Sequence, residues 1–127
     1  MNTEFTPQTS VSLFEQRYVK RLDLEGCAKR EAEYLRGYDL SAIRAYASNG
    51  EYISAMKKEC AKQYTKASEK AYVIHKAESQ GDYKKALELR ESCGWWEEFQ
   101  KYLDKASTYY MMKAKYEMSI KILEEYK

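Results

Sequence analysis

Lys58, Lys62, Lys66 and Lys70 recur every fourth residue, with Lys57 beside them and Glu59 and Glu69 as the neighbouring acids. On a helix this spacing places four ammonium groups on one face, where like charges cost stability unless a counter-charge relieves them. A phosphate or an acidic peptide would relieve them, so the four lysines are the candidate contacts for an acidic partner or a phosphate. A solvated helix face is the plainer account and is preferred.

Other reactive residue types are sparse. The one histidine, His75, is expected at the edge of an apolar helix stripe, with no nucleophile assigned to it as a general base would require. Glu97-Glu98 and Glu124-Glu125 are adjacent pairs, so each splays around its helix and forms no carboxylate dyad. Cys27, Cys60 and Cys93 lie 33 residues apart without a second cysteine or histidine at metal-ligand spacing, and read as reduced, buried small hydrophobes. The chain contains no glycine-rich phosphate loop, no His-Glu-x-x-His, no Gly-x-Ser-x-Gly and no Cys-x-x-Cys. The expectation is a non-catalytic protein with no metal site and no cofactor.

The aromatic residues carry a stronger signal. Tyr109, Tyr110, Met111 and Met112 are consecutive, and four consecutive helical residues point in every direction; Trp95-Trp96 poses the same problem. Either this helix is buried on two sides or part of it faces a partner. Exposed Trp, Tyr and Met are enriched at protein interfaces. Trp95, Trp96, Phe99, Tyr109, Tyr110 and Met112 are therefore the candidate partner-binding residues.

Composition sets what can hold these residues. The chain has 127 residues, and Leu, Ile, Val and Phe number only 20 of them, a share low enough to suggest disorder. Thirteen Tyr and thirteen Ala compensate by supplying bulk and close-approach surface. With one Pro and five Gly, long stretches lack a helix breaker, so the class is all-α. No run of 18 apolar residues is present, and Met1–Pro7 lacks the basic start and apolar core of a secretory signal. Together with the unpaired cysteines, this places the chain in the cytoplasm. Twenty-two basic against 20 acidic residues is not the balance of a general nucleic-acid binder.

The expected organisation is a flexible lead over residues 1–8 and one all-helical domain over 9–127, with Thr9 or Ser10 as the first N-cap. A helical pattern follows through Val11, Phe14, Tyr18, Leu22, Ala28, Ala32 and Leu35, with Gly26 as a kink or turn. A short helix covers 39–48. Ile53, Met56, Cys60, Tyr64, Ala67, Ala71, Ile74 and Ala77 form one stripe on a helix from Glu51 to Gln80, roughly 45 Å long. Asp82 caps a short helix through Tyr83, Ala86, Leu87 and Cys93. A last helix runs from Trp95 with a stripe of Trp96, Phe99, Leu103, Ala106, Tyr110, Tyr116, Ile120, Leu123 and Tyr126; Lys113 interrupts it and suggests a turn near 113–115.

Residues 48–57, Ser-Asn-Gly-Glu-Tyr-Ile-Ser-Ala-Met-Lys, align without gaps with residues 79–88, Ser-Gln-Gly-Asp-Tyr-Lys-Lys-Ala-Leu-Glu, 31 positions later. A weaker third copy reads Lys-Tyr-Glu-Met-Ser-Ile at 115–120. In each hairpin Gly permits a left-handed turn, the acid favours the next helix start, and the small residue lets two helices approach. Gly81-Asp82-Tyr83-Lys84-Lys85-Ala86-Leu87-Glu88-Leu89 resembles the turn and second helix of a tetratricopeptide repeat, over roughly residues 40–127. Ser107, Tyr110, Ser119 and Leu123 match that pattern in the third copy, whereas Glu59, Ile74, Ala77 and Arg90 depart from it. The resemblance implies stacked helical hairpins in a non-catalytic scaffold that holds a peptide or helix in a groove. A second spacing competes: Gly37 to Gly50 and Gly81 to Gly94 are both 13 residues, shifted by 44, which predicts a bundle of alternating long and short helices.

The expected function is a protein–protein interaction or adaptor module that binds a partner protein or peptide through an aromatic- and Met-bearing helical surface. A small inhibitor of a larger protein would look the same, and self-association into a homo-oligomer is expected. The alternative is a nucleic-acid-associated protein in which the lysine ladder contacts phosphates.

Overall fold

Five α-helices dominate the computed structural model, which describes residue 11 and residues 13–126: α1 (Leu24–Ala32), α2 (Leu40–Ala47), α3 (Gly50–Ser79), α4 (Tyr83–Ser92) and α5 (Trp95–Glu125). Shorter helical turns cover Glu15–Val19, Lys20–Leu22 and Glu33–Gly37, and no strand occurs among the described residues. The protein is all-α. The expected lead over 1–8 and the cap candidates Thr9 and Ser10 lie outside the described residues.

Local chemistry explains the helix boundaries. Asp39 and Asp82 cap α2 and α4, each carboxylate accepting from the backbone N–H three residues on, at 2.8 Å from Ala42 and 3.1 Å from Lys85. At the end of α3 the N–H of Gly81 donates to Glu78 O and that of Asp82 to Ala77 O, a left-handed closure that puts Gly81 at φ 76°. Residues 48–57 differ from their aligned partner: Gly50 is already the first residue of α3, so the helix starts two positions earlier in the motif.

The first break falls at Asp23 and not at Gly26. Asp23 takes φ 47°, its side chain accepts from Gly26 N at 3.3 Å, and α1 begins at Leu24. Gly26 lies inside that helix, and a Cβ there would collide with the Asp23 carboxylate. The glycine makes room for the cap. Nor is there a turn near 113–115, since α5 continues through it. Lys113 is half-buried, its ammonium 5.9 Å from the centre of the Tyr109 ring, so a lysine is accommodated without ending the helix. The order short, long, short, long from α2 to α5 follows the 44-residue spacing.

The described chain forms two compact units. The first comprises the described residues through Leu22 with Ala61–Leu103, and the second Asp23–Cys60 with Asp104–Lys127. In the first, Phe14 is completely buried, its ring centre 5.2 Å from Tyr64, 5.4 Å from Phe99 and 5.6 Å from Tyr18. Trp95 stacks on Phe99 at 5.5 Å. Tilted and stacked rings at these separations add to the burial term. A second cluster joins Ile74 and Ala77 of α3 to Ala86 of α4, covered by Leu89, Cys93 and Trp95.

The second unit is built differently. Ala28 and Ala32 of α1 meet Ala114 of α5, with Tyr110 and Met118 packed around them. Next to this, Leu35, Ile43 and Ile122 form an aliphatic cluster flanked by Tyr46, Met118 and Leu123. Arg36 forms a two-pronged pair with Glu125 at 2.8 and 3.3 Å.

Candidate functional site

The α3 stripe is as the spacing predicts: Cys60, Ala67, Ala71, Ile74 and Ala77 are buried and Ile53, Met56 and Tyr64 half-buried. The faces of α4 and α5 are rotated from expectation. On α4 only Ala86 is buried, while Tyr83 and Leu87 are 72% and 61% exposed and Leu89 turns inward in their place. On α5 the buried face in the first unit is Phe99 and Tyr102, and Trp96 is 52% exposed.

The six candidate partner-binding residues therefore fall into three groups. Phe99 and Tyr109 are buried, which takes them out of an open surface. Trp95, Tyr110 and Met112 are half-buried. Trp96 is the one that stands exposed. Phe99, Trp95 and Trp96 belong to the first unit, and Tyr109, Tyr110 and Met112 to the second. Burial, more than any charge, pushes the Tyr110 hydroxyl up from its ordinary value, consistent with a packing role.

Lys58, Lys62 and Lys66 are exposed and Lys70 is half-buried. Lys58 belongs to the second unit; the other three belong to the first. There Glu98 supplies part of the relief. Buried Gln63 donates its amide to Glu98 O at 2.9 Å and to Glu98 Oε2 at 2.6 Å. That hydrogen bond, helped by the charges of Lys101, Lys70 and Lys66, holds the Glu98 carboxyl below its ordinary range. Lys101 reaches it at 3.9 Å. Glu59 instead faces Lys105, at 3.4 Å in the second unit.

His75 is not at a stripe edge but only 3% exposed. Burial first, then the nearby charge of Arg17, lowers its pKa, so it is neutral at pH 7. It borders a cleft of about 320 Å³ in the first unit, lined also by Leu13, Arg17, Glu78, Ser79 and Tyr83. At its floor Glu78 accepts from Arg17 at 3.1 Å and from Arg90 at 2.7 Å. Burial raises the Glu78 pKa, but the two guanidinium bonds outweigh it and hold the carboxyl below its ordinary range. Sequence reasoning missed this group, because Arg17 and Glu78 are 61 positions apart and nothing local connects them. A departure at Arg90 from the tetratricopeptide pattern was the one available signal.

Cys60 is buried and Cys93 half-buried, as small hydrophobes, but Cys27 is exposed, with its sulfur 3.3 Å from Arg30. All three are free thiols. Among the described residues no cluster of three or more His, Cys, Asp or Glu could hold a metal ion, and no helix is long and apolar enough to cross a membrane. No protein-family model matches the chain, and neither a curated protein nor a solved structure gives a significant match.

Proposed function

We propose that this chain is a non-catalytic protein-interaction module that associates through the outer flank of α4, and that the molecule docking there is a second copy of the chain. The observation that carries this is the exposure of Tyr83 and Leu87, one turn apart on the same flank, at 72% and 61%. Exposed apolar side chains paired at helical spacing mark a face suited to a partner helix.

The charge order of α4 selects the occupant. Lys84 and Lys85 precede Glu88 and Glu91. Two α4 helices packed antiparallel about a two-fold axis set Lys84 of each, at the border of the Tyr83–Leu87 face, against Glu91 of the other, with the Leu87 side chains together at the centre. Burying a tyrosine and a leucine contributes about 1.5–3 kcal/mol each. Association costs consume much of that, so the expected dimer is weak and concentration-dependent.

Light scattering behind size exclusion at two concentrations tests the reading. A mass rising from 15.0 kDa toward twice that value, and held at 15.0 kDa by Leu87→Glu, supports it. A wild-type mass that stays at 15.0 kDa at both concentrations overturns self-association by α4.

A further inference from the structure

The cleft beside His75 has the size of a small ligand site, which begins near about 300 Å³. Its charge is unequal. One carboxylate, Glu78, faces two guanidinium groups, and the shorter bond goes to Arg90, which stands outside the lining. The surplus positive charge falls on Arg17, which lines the cleft and whose side chain is 41% exposed. A guanidinium carries five N–H donors, and Arg17 spends one on Glu78. Neutral His75 forms part of the wall without adding charge, and Leu13 and Tyr83 give the cleft an apolar edge.

We propose that this cleft binds an organic carboxylate bearing an apolar group, with the carboxylate on Arg17 and the apolar group against Leu13 and Tyr83. Planar guanidinium matches a carboxylate in two-pronged geometry. The single surplus charge suits a monoanion and not a phosphate dianion. A free aromatic acid and the C-terminal residue of a peptide share this chemistry. Tyr83 is shared with the α4 flank proposed to self-associate, whereas Leu87 is not part of the cleft, so Leu87→Glu separates the two readings.

The single histidine makes the test direct, because its imidazole C–H proton resonance in NMR reports the cleft without assignment. At pH 7, benzoate or N-acetylphenylalanine is expected to move that signal saturably, while benzamide and N-acetylphenylalaninamide do not. Tighter binding of N-acetylphenylalanine assigns the site to a chain terminus; tighter binding of benzoate assigns it to a free acid. Arg17→Gln is expected to weaken the better acid at least tenfold with helicity kept by circular dichroism. Tyr83→Ala, at an exposed position where folding is not at stake, is expected to weaken it severalfold. No saturable shift with either acid, an equal response to the amides, a stronger response to inorganic phosphate, or unchanged affinity in Tyr83→Ala each overturns the proposal. The same titrations on Leu87→Glu remove association through α4 from the reading, so failure of that reading leaves this one intact.

Discussion

The two units solve the shortage of aliphatic residues in opposite ways. The first fills its interior with rings, gathering Phe14, Tyr18, Tyr64, Trp95, Phe99 and Tyr102, and it admits polar groups that need partners, such as Gln63 on Glu98. The second brings helices close through Ala28, Ala32 and Ala114 and adds a small Leu35–Ile43–Ile122 cluster. Each unit keeps a surface cleft, about 320 Å³ beside His75 in the first and about 230 Å³ over Ala32, Ala114 and Met118 in the second, so the contrast lies in the packing groups and in the ionic partners they bring together. The buried histidine and its shared ion pair sit in the ring-packed unit.

The largest expected effect is on the rings. Phe14→Ala should cost about 3–5 kcal/mol and lower the urea midpoint read by tryptophan fluorescence, which reports the first unit because both tryptophans lie in it. Ile43→Ala should cost about 2–5 kcal/mol and act first on the Ile122 methyl signals of the second. If each substitution shifts both probes equally, the two units unfold as one and the contrast between them is structural only.

Acid should separate them next. His75 has a lowered pKa, so its contribution is complete above its ordinary 6.5 and is lost as pH falls from there toward the folded-state value. Glu78, Glu98 and, in the second unit, Glu125 are also lowered, so their contributions are complete above 4.5 and lost below it. Between pH 6.5 and 4.5 the first unit should weaken while the second holds. A fluorescence midpoint that stays level from pH 7 to 5 would contradict the burial of His75.

Smaller effects sharpen the description of the second unit. The Ser119 hydroxyl is fully buried with no hydrogen-bond partner, so Ser119→Ala should raise stability by about 1 kcal/mol. A loss on that substitution, in thermal melts, would mean the hydroxyl has found an acceptor. Arg36→Gln removes the two-pronged pair with Glu125, both exposed, and its small destabilisation should vanish at high salt. Salt-independent loss would show that the arginine stem packs as well as pairs.

The helices were legible because their determinants are local. Absence of Gly and Pro over 51–80, an alternation of small and large residues at steps of three and four, and Asp82 before Tyr83 together specify α3 and the start of α4. The break at Asp23, three residues before Gly26, is not legible because a left-handed φ at a non-glycine residue, held by its own side-chain cap, leaves no mark in the composition. Lys113 suggested a turn because periodicity does not register a lysine stem lying along a tyrosine ring. Sequence places Tyr83, Ala86 and Leu87 on one short helix but does not set which of them turns inward, because ten residues with few apolar side chains leave the buried face underdetermined.

Sequence alone determined the all-helical class, the unbroken 30-residue span of α3 and most of its buried stripe, because backbone propensity, capping and breaker placement act over a few residues. Tertiary structure decided which aromatic residues became core, that Trp96 remained outside, and that Arg17 met Glu78 and Arg90 beside His75. Those outcomes depend on which helix faces pack together and on charges brought into contact from 61 positions away, and neither leaves a periodic trace in the chain.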